Sequence, residues 1–165
     1  MTVKMLMRRR YPPHNSGRSG IFSGSANFVD LGVVKMPCPN RVILVVEDTA
    51  VIRLLAVELL VQAGFEVLEA ECADEAIQIL QGRPDIHLVF TDVNMPGTMD
   101  GIRLSHYIRD RWPPVKLVVA SGQAIVDESH LPTGARFFAK PYHGGELVEA
   151  IIAMLPEVSG EAATC

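Results

Sequence analysis

The sequence predicts an α/β fold: a doubly wound, five-stranded parallel sheet in strand order 2-1-3-4-5, with helices on both faces. Three observations lead to the parallel sheet and its covered faces, and the order is one of those open doubly wound sheets adopt. From Arg41 onward, short apolar runs alternate with segments of helical periodicity. The runs at 42–46, 88–90 and 117–120 are wholly apolar, as strands covered on both sides must be. Strands separated by helices pair in parallel through right-handed crossovers, so their carboxyl ends share one edge.

The first strand, Val42–Val46, runs into Glu47 and Asp48. Thr49 can cap a helix through about residue 63, with Ile52, Leu55, Leu59 and Ala63 on its inward face. Gly64 closes it where glycine is favoured. Glu66–Ala70 is a short second strand. A second helix over 73–81 buries Ala76, Ile77 and Leu80, and Gly82 stops it. The third strand covers 88–92, ends on Asp92 and is followed by the turn pair Pro96-Gly97. A helix over Gly101–Arg111 presents Ile102, Ser105 and Ile108 and is cut off by Pro113 and Pro114. Strand four, 116–120, ends at Ser121 and Gly122. The stretch 123–134 contains Asp127, Ser129, Pro132 and Gly134, so any helix in it is short. Arg136–Ala139 is strand five, ending at Lys140 and Pro141. A last helix over about 144–155 buries Leu147, Ile151 and Met154 before Pro156.

Residues 1–40 differ in kind. Their mix of Arg, Pro, Gly and Ser has no periodicity and reads as a disordered basic extension; Met36, just ahead of the folded pattern, is a candidate translation start. No apolar h-region follows the arginines, which argues against a secretory signal. Residues 41–155 form the folded domain and 156–165 a flexible tail. An apolar content of 48% and a mean hydropathy of +0.22 exclude a chain disordered throughout. No run approaches the ~18 apolar residues of a membrane span, so no membrane partner is expected. Cys38, Cys72 and Cys165 are odd in number and lack metal-ligand spacing, which points to a reducing, cytoplasmic setting. The net charge of −4 divides into +5 over residues 1–40 and −9 over the remainder. Such an acidic body is a poor candidate for nucleic-acid binding and a good one for holding a divalent cation.

Strand order 2-1-3-4-5 makes four polar strand ends contiguous: Glu47-Asp48, Asp92, Ser121 and Lys140, with a crevice between strands one and three. Two carboxylates at about 4 Å repel by roughly 4 kcal/mol at an effective dielectric near 20. Either one stays protonated or a cation sits between them. An all-oxygen set favours a hard ion, and Mg2+ suits a site that shares a phosphoryl group. Asp92 can then attack phosphorus. Lys140 can pair with a phosphoryl oxygen, Ser121 can donate a hydrogen bond, and Gly122 leaves room and a backbone N–H. Taken singly, these residues have plainer readings: a dipole-favouring acid pair, an Asx-turn acid, a polar strand end, a surface lysine. Their convergence on one edge points to chemistry.

The segments Val45-Val46-Glu47-Asp48, Thr91-Asp92-Val93-Asn94-Met95-Pro96-Gly97, Ala120-Ser121-Gly122 and Ala139-Lys140-Pro141-Tyr142 stand in order at successive strand ends. With them, residues 41–155 resemble the receiver domain of bacterial two-component response regulators, the CheY-like family of flavodoxin-like folds. The resemblance implies that Asp92 is the phosphoacceptor, and that Glu47, Asp48, Asp92 and the main-chain carbonyl of Asn94 hold Mg2+. It implies that Ser121 is the hydroxyl switch residue and Lys140 the family lysine, followed by a cis proline at Pro141. Phe137 falls where a switch aromatic lies, although Phe137 and Phe138 read equally well as core.

The function implied is that of a single-domain response regulator. It would take a phosphoryl group from a histidine kinase or histidine phosphotransfer protein and signal to a downstream protein target. It would not be an enzyme beyond slow self-dephosphorylation. Thr49, Ala50, Val51 and Arg53 are expected partner contacts. The alternative is an aspartyl-phosphate-forming phosphatase on a related α/β fold. Such an enzyme wants a second Asp two residues after the nucleophile, where this chain has Asn94, which cannot transfer protons. No G-x-G-x-x-G or Walker loop supports nucleotide binding. The chain departs from the family between Ser121 and Lys140, about one helical turn short, which leaves the usual output surface of helix four, strand five and helix five unsupported. No output domain follows residue 155, so a stand-alone receiver is expected.

Overall fold

The computed structural model describes residues 41–122 and 128–155. Expectations for the extension 1–40 with Met36, for 123–127 and for the tail 156–165 lie outside the described residues. Within them, β1 (Val42–Val46), β2 (Glu66–Ala70), β3 (Ile86–Asp92), β4 (Lys116–Ser121) and β5 (Arg136–Ala139) alternate with α1 (Ala50–Gln62), α2 (Ala73–Gly82), α3 (Gly101–Arg111) and α4 (Gly144–Met154). The sheet runs in the expected order β2-β1-β3-β4-β5, and every pairing is parallel, as the alternation of runs and helices predicts. Glu128–His130 makes a single 3-10 turn between β4 and β5, where proline and glycine discourage anything longer.

The central strands carry apolar side chains on both sides because both sides are covered. Ile43, Val45, Leu88, Phe90, Val118 and Ala120 pack with Ala56 and Leu60 of α1 and Leu147 and Ile151 of α4. On the other face, Leu44, Val46, Val89 and Leu117 pack with Ala76 and Leu80 of α2 and Leu104 and Ile108 of α3. Just beyond the Ala63 C-cap of α1 the chain turns at Gly64, whose φ of 97° is the left-handed conformation that glycine adopts without strain. α3 starts hard against β3. Its first residue, Gly101, lies so close that a Cβ there would stand 1.9 Å from the Asp92 carbonyl oxygen.

Several inward faces differ from expectation. In α1 the buried residues are Arg53, Ala56 and Leu60; Ile52 and Leu55 are exposed, as are Val51, Leu54 and Val61. Nearly every position of this helix is apolar, so periodicity alone does not pick a face. α3 buries Leu104 where Ile102 was expected, and α4 buries Ala150 while Met154 is half-buried. In α2, Ile77 is half-buried behind Ala73, Ala76 and Leu80. β3 begins two residues earlier than predicted and carries an irregularity: Val42 pairs with Ile86, but Ile43 pairs with Leu88. His87, the residue skipped, accepts the Val42 N–H on its Nδ1 at 3.3 Å and so satisfies a donor at the slip. No helix among the described residues is long and apolar enough to cross a membrane.

Candidate functional site

The carboxyl ends of β1 and β3 bring three acids together. Glu47 follows β1 and is 5% exposed; Asp92 closes β3 and is 6% exposed; Asp48 lies open to solvent. One carboxylate oxygen from each lies within 4.8 Å of the other two. Lys140, just past β5, reaches across the edge. Its Nζ stands 2.6 Å from Asp92 Oδ1 and 2.7 Å from Glu47 Oε2. The backbone carries it there: the Lys140 N–H donates to the Ser121 carbonyl at 2.8 Å, and the Lys140–Pro141 peptide is cis.

The acids are aimed by their neighbours. The Asn94 N–H donates to Asp92 Oδ2 at 2.8 Å, fixing the carboxylate's rotation. Beyond the strand, the Val93 N–H donates to the Ala120 carbonyl and the Gly101 N–H to the Val93 carbonyl, so the chain after Asp92 is tied to both β4 and α3. The Thr49 N–H donates to Glu47 Oε1 at 3.3 Å. Thr49 occupies the N-cap of α1, with its hydroxyl 3.4 Å from Asp48 Oδ1.

Burial works to lower the Lys140 pKa, but the hydrogen bonds to Asp92 and Glu47, with their charges, push it above the ordinary lysine value. Burial likewise raises the Tyr142 phenol, against the pull of the Lys140 charge. Because the folded Lys140 value is the higher one, the stability it contributes is whole below the ordinary lysine range. It falls away as pH rises through the raised value.

Of the other sequence-derived candidates, Ser121 is fully buried at the end of β4, one residue beyond the register partner of Asp92. Gly122 is exposed, and a Cβ there would meet nothing within 4 Å. Phe137 is half-buried in β5 opposite Val119, while Phe138 packs on the other face with Tyr142, its ring centroid 6.3 Å away. Arg53 was misplaced by sequence reasoning. Read as an outward partner contact, it is 9% exposed, and its Nη1 donates to the Glu47 carbonyl at 2.6 Å. The signal was a lone cation in an apolar helix with Glu69 and Glu71 at the end of β2, a contact between elements that no local period displays.

Three carboxylates without nitrogen or sulfur donors fit a hard cation, and the Lys140 ammonium meets two of them. Lys140→Met is therefore expected to lower Mg2+-free stability by about 2 kcal/mol, less than for a wholly buried pair because the lysine is partly exposed. Mg2+ should recover part of the loss. Urea unfolding with and without Mg2+ measures both; unchanged Mg2+-free stability would mean the two contacts contribute nothing net.

The fold and this edge define a CheY-like α/β domain. The response regulator receiver domain family matches residues 43–152, and the chain belongs to it. The response regulator receiver protein CpdR of Brucella abortus is 34% identical over 116 residues, covering 68% of this chain and 95% of CpdR. The chemotaxis protein CheY of Bacillus subtilis is 34% identical over 114 residues, covering 66% of this chain and 92% of CheY. Other relatives are longer: the matching region is 23% of FleR from Pseudomonas aeruginosa and 53% of PhoB from Escherichia coli. Among solved structures, the receiver domain of the hybrid histidine kinase CckA superposes with a TM-score of 0.60 at 34% identity, covering 70% of this chain and 99% of that one. The response regulator TrrA of Thermotoga maritima, in complex with Mg2+–BeF, has a TM-score of 0.61 at 27% identity, covering 70% and 99%. The chain is thus a receiver domain of the two-component signalling class.

Proposed function

We propose that Asp92 is the phosphoacceptor of a Mg2+-dependent receiver, charged by a phosphohistidine on a histidine kinase or histidine phosphotransfer protein in the cytoplasm. The observation that carries this reading is the Lys140 ammonium, 2.6 Å from Asp92 and 2.7 Å from Glu47 at one strand edge. Glu47, Asp48, Asp92 and the Asn94 carbonyl would hold the Mg2+, which supplies charge neutralisation for the phosphoryl oxygens. The Asn94 N–H on Oδ2 keeps the carboxylate turned, leaving Oδ1 beside Lys140. The carboxylate attacks phosphorus, the P–N bond to histidine breaks, and the imidazole leaves. Lys140 can shift from Asp92 to a phosphoryl oxygen, with Ser121 and the Gly122 N–H as further donors and Phe137 as the side chain that follows them. That TrrA is solved with Mg2+–BeF supports the pairing of Mg2+ with such a site.

Asn94 stands where a phosphatase of related fold would place its acid/base group, and it can neither give nor take a proton. The acyl phosphate should therefore be lost slowly and act as a signal to a downstream protein. With Mg2+ and acetyl phosphate, the chain should gain one phosphoryl group by intact mass, and a chelator should prevent it. No uptake under these conditions would remove the assignment, and rapid turnover of small phosphate esters would favour the phosphatase.

A further inference from the structure

Arg53 is the one basic residue of α1, and it points inward while Val51, Leu54 and Leu55 around it face solvent. Burying a guanidinium in the first turn of a helix is unfavourable twice over. It gives up hydration, and it sits at the positive end of the helix dipole. What offsets this is specific. Nη1 donates to the Glu47 carbonyl at 2.6 Å, Nη2 donates to Glu71 Oε1 at 2.8 Å, and Nε lies 3.4 Å from Glu69 Oε2.

Glu47 is held at four atoms: its N–H donates to the Ala70 carbonyl at 3.1 Å, its carbonyl accepts from Arg53, Oε1 accepts from the Thr49 N–H and Oε2 from Lys140. The Ala70 bond prolongs the pairing of β1 with β2, whereas the Arg53 contact is the side-chain grip on the backbone where the turn carrying Glu47 and Asp48 leaves the sheet. We propose that Arg53 is a positioning residue for the acid pair, setting the β1–α1 turn through the Glu47 carbonyl while Glu69 and Glu71 offset its charge. Such a cation can stand beside a cation site without opposing it. The role rests on the Mg2+-dependent reading above.

A clamp and a bystander ion pair predict opposite signs. Removing a bystander cation, and leaving Glu69 and Glu71 unpaired, would tighten Mg2+ binding through the added negative potential. Losing the clamp should weaken it. Calorimetric titration of the full chain with Mg2+ should show Arg53→Met binding about tenfold more weakly, the low end for groups that orient metal ligands. Arg53→Lys keeps the charge without the planar fork and should fall between the two. The Mg2+ concentration giving half-maximal labelling by acetyl phosphate should move with the dissociation constant. Arg53→Met binding Mg2+ as tightly as the wild type, or more tightly, would overturn the role. If that variant does not fold, Arg53→Lys decides: binding equal to wild type overturns it and weaker binding supports it. A wild-type chain that ignores Mg2+ altogether would instead overturn the proposed function, and the positioning role with it.

Discussion

Asp92→Asn should take up no phosphoryl group from acetyl phosphate, with labelling at least about a hundredfold below wild type. The amide has nearly the carboxylate's shape but no anionic oxygen to attack phosphorus, and it withdraws one negative charge from the trio of acids proposed to hold Mg2+. The loss should not come through unfolding. Asn can still offer one oxygen to the Asn94 N–H, now received by Asp92 Oδ2 at 2.8 Å, and Lys140 keeps Glu47 at 2.7 Å. Intact mass after donor treatment, beside a urea curve within about 1 kcal/mol of wild type, checks both parts. Labelling equal to wild type would mean that another side chain is the acceptor.

Gly101→Ala should be the most damaging small substitution in the domain. The new Cβ would meet the Asp92 carbonyl oxygen at 1.9 Å, its carbonyl carbon at 2.8 Å and the Val93 Cα at 3.0 Å. All three are backbone atoms at the end of a central strand, so no side-chain rotation relieves the contact. α3 must back away and loosen Leu104 and Ile108 from the core. Overpacking of this kind costs about 3 kcal/mol, more than alanine's better helix propensity returns. Gly145→Ala is the control. A Cβ at that site in α4 meets nothing within 4 Å, so the change should be neutral or slightly stabilising. Urea midpoints of the two variants test the contrast, and equal midpoints would mean that α3 slides without penalty.

Where local pattern and tertiary demand agree, the sequence is readable. β2, β5 and α3 fall on the residues expected because Gly64 sets off β2 from α1 and turn or breaker residues bracket both β5 and α3. Parallel pairing followed from alternation, while the strand order, and with it the meeting of Glu47, Asp48, Asp92 and Lys140 on one edge, agrees with the flavodoxin-like order that the motif resemblance implies. What stayed hidden depends on partners distant in the chain. Ile52 and Leu55 satisfy a helical period as well as Ala56 and Leu60 do; the choice falls to Arg53, drawn inward by Glu69 and Glu71 of another element. The close seat of Gly101 on Asp92 likewise turns α3 onto Leu104, which no spacing within that helix announces.

The slip at His87 has a consequence for how this chain tolerates change. It lies where β3 enters the sheet, whereas the acids gather where β3 leaves it. A surplus residue absorbed at entry leaves the pairing from Leu88 to Asp92 undisturbed. A one-residue change in the connection that leads into this strand should therefore fall on the irregular rim and leave the register at the acidic rim opposite as it is.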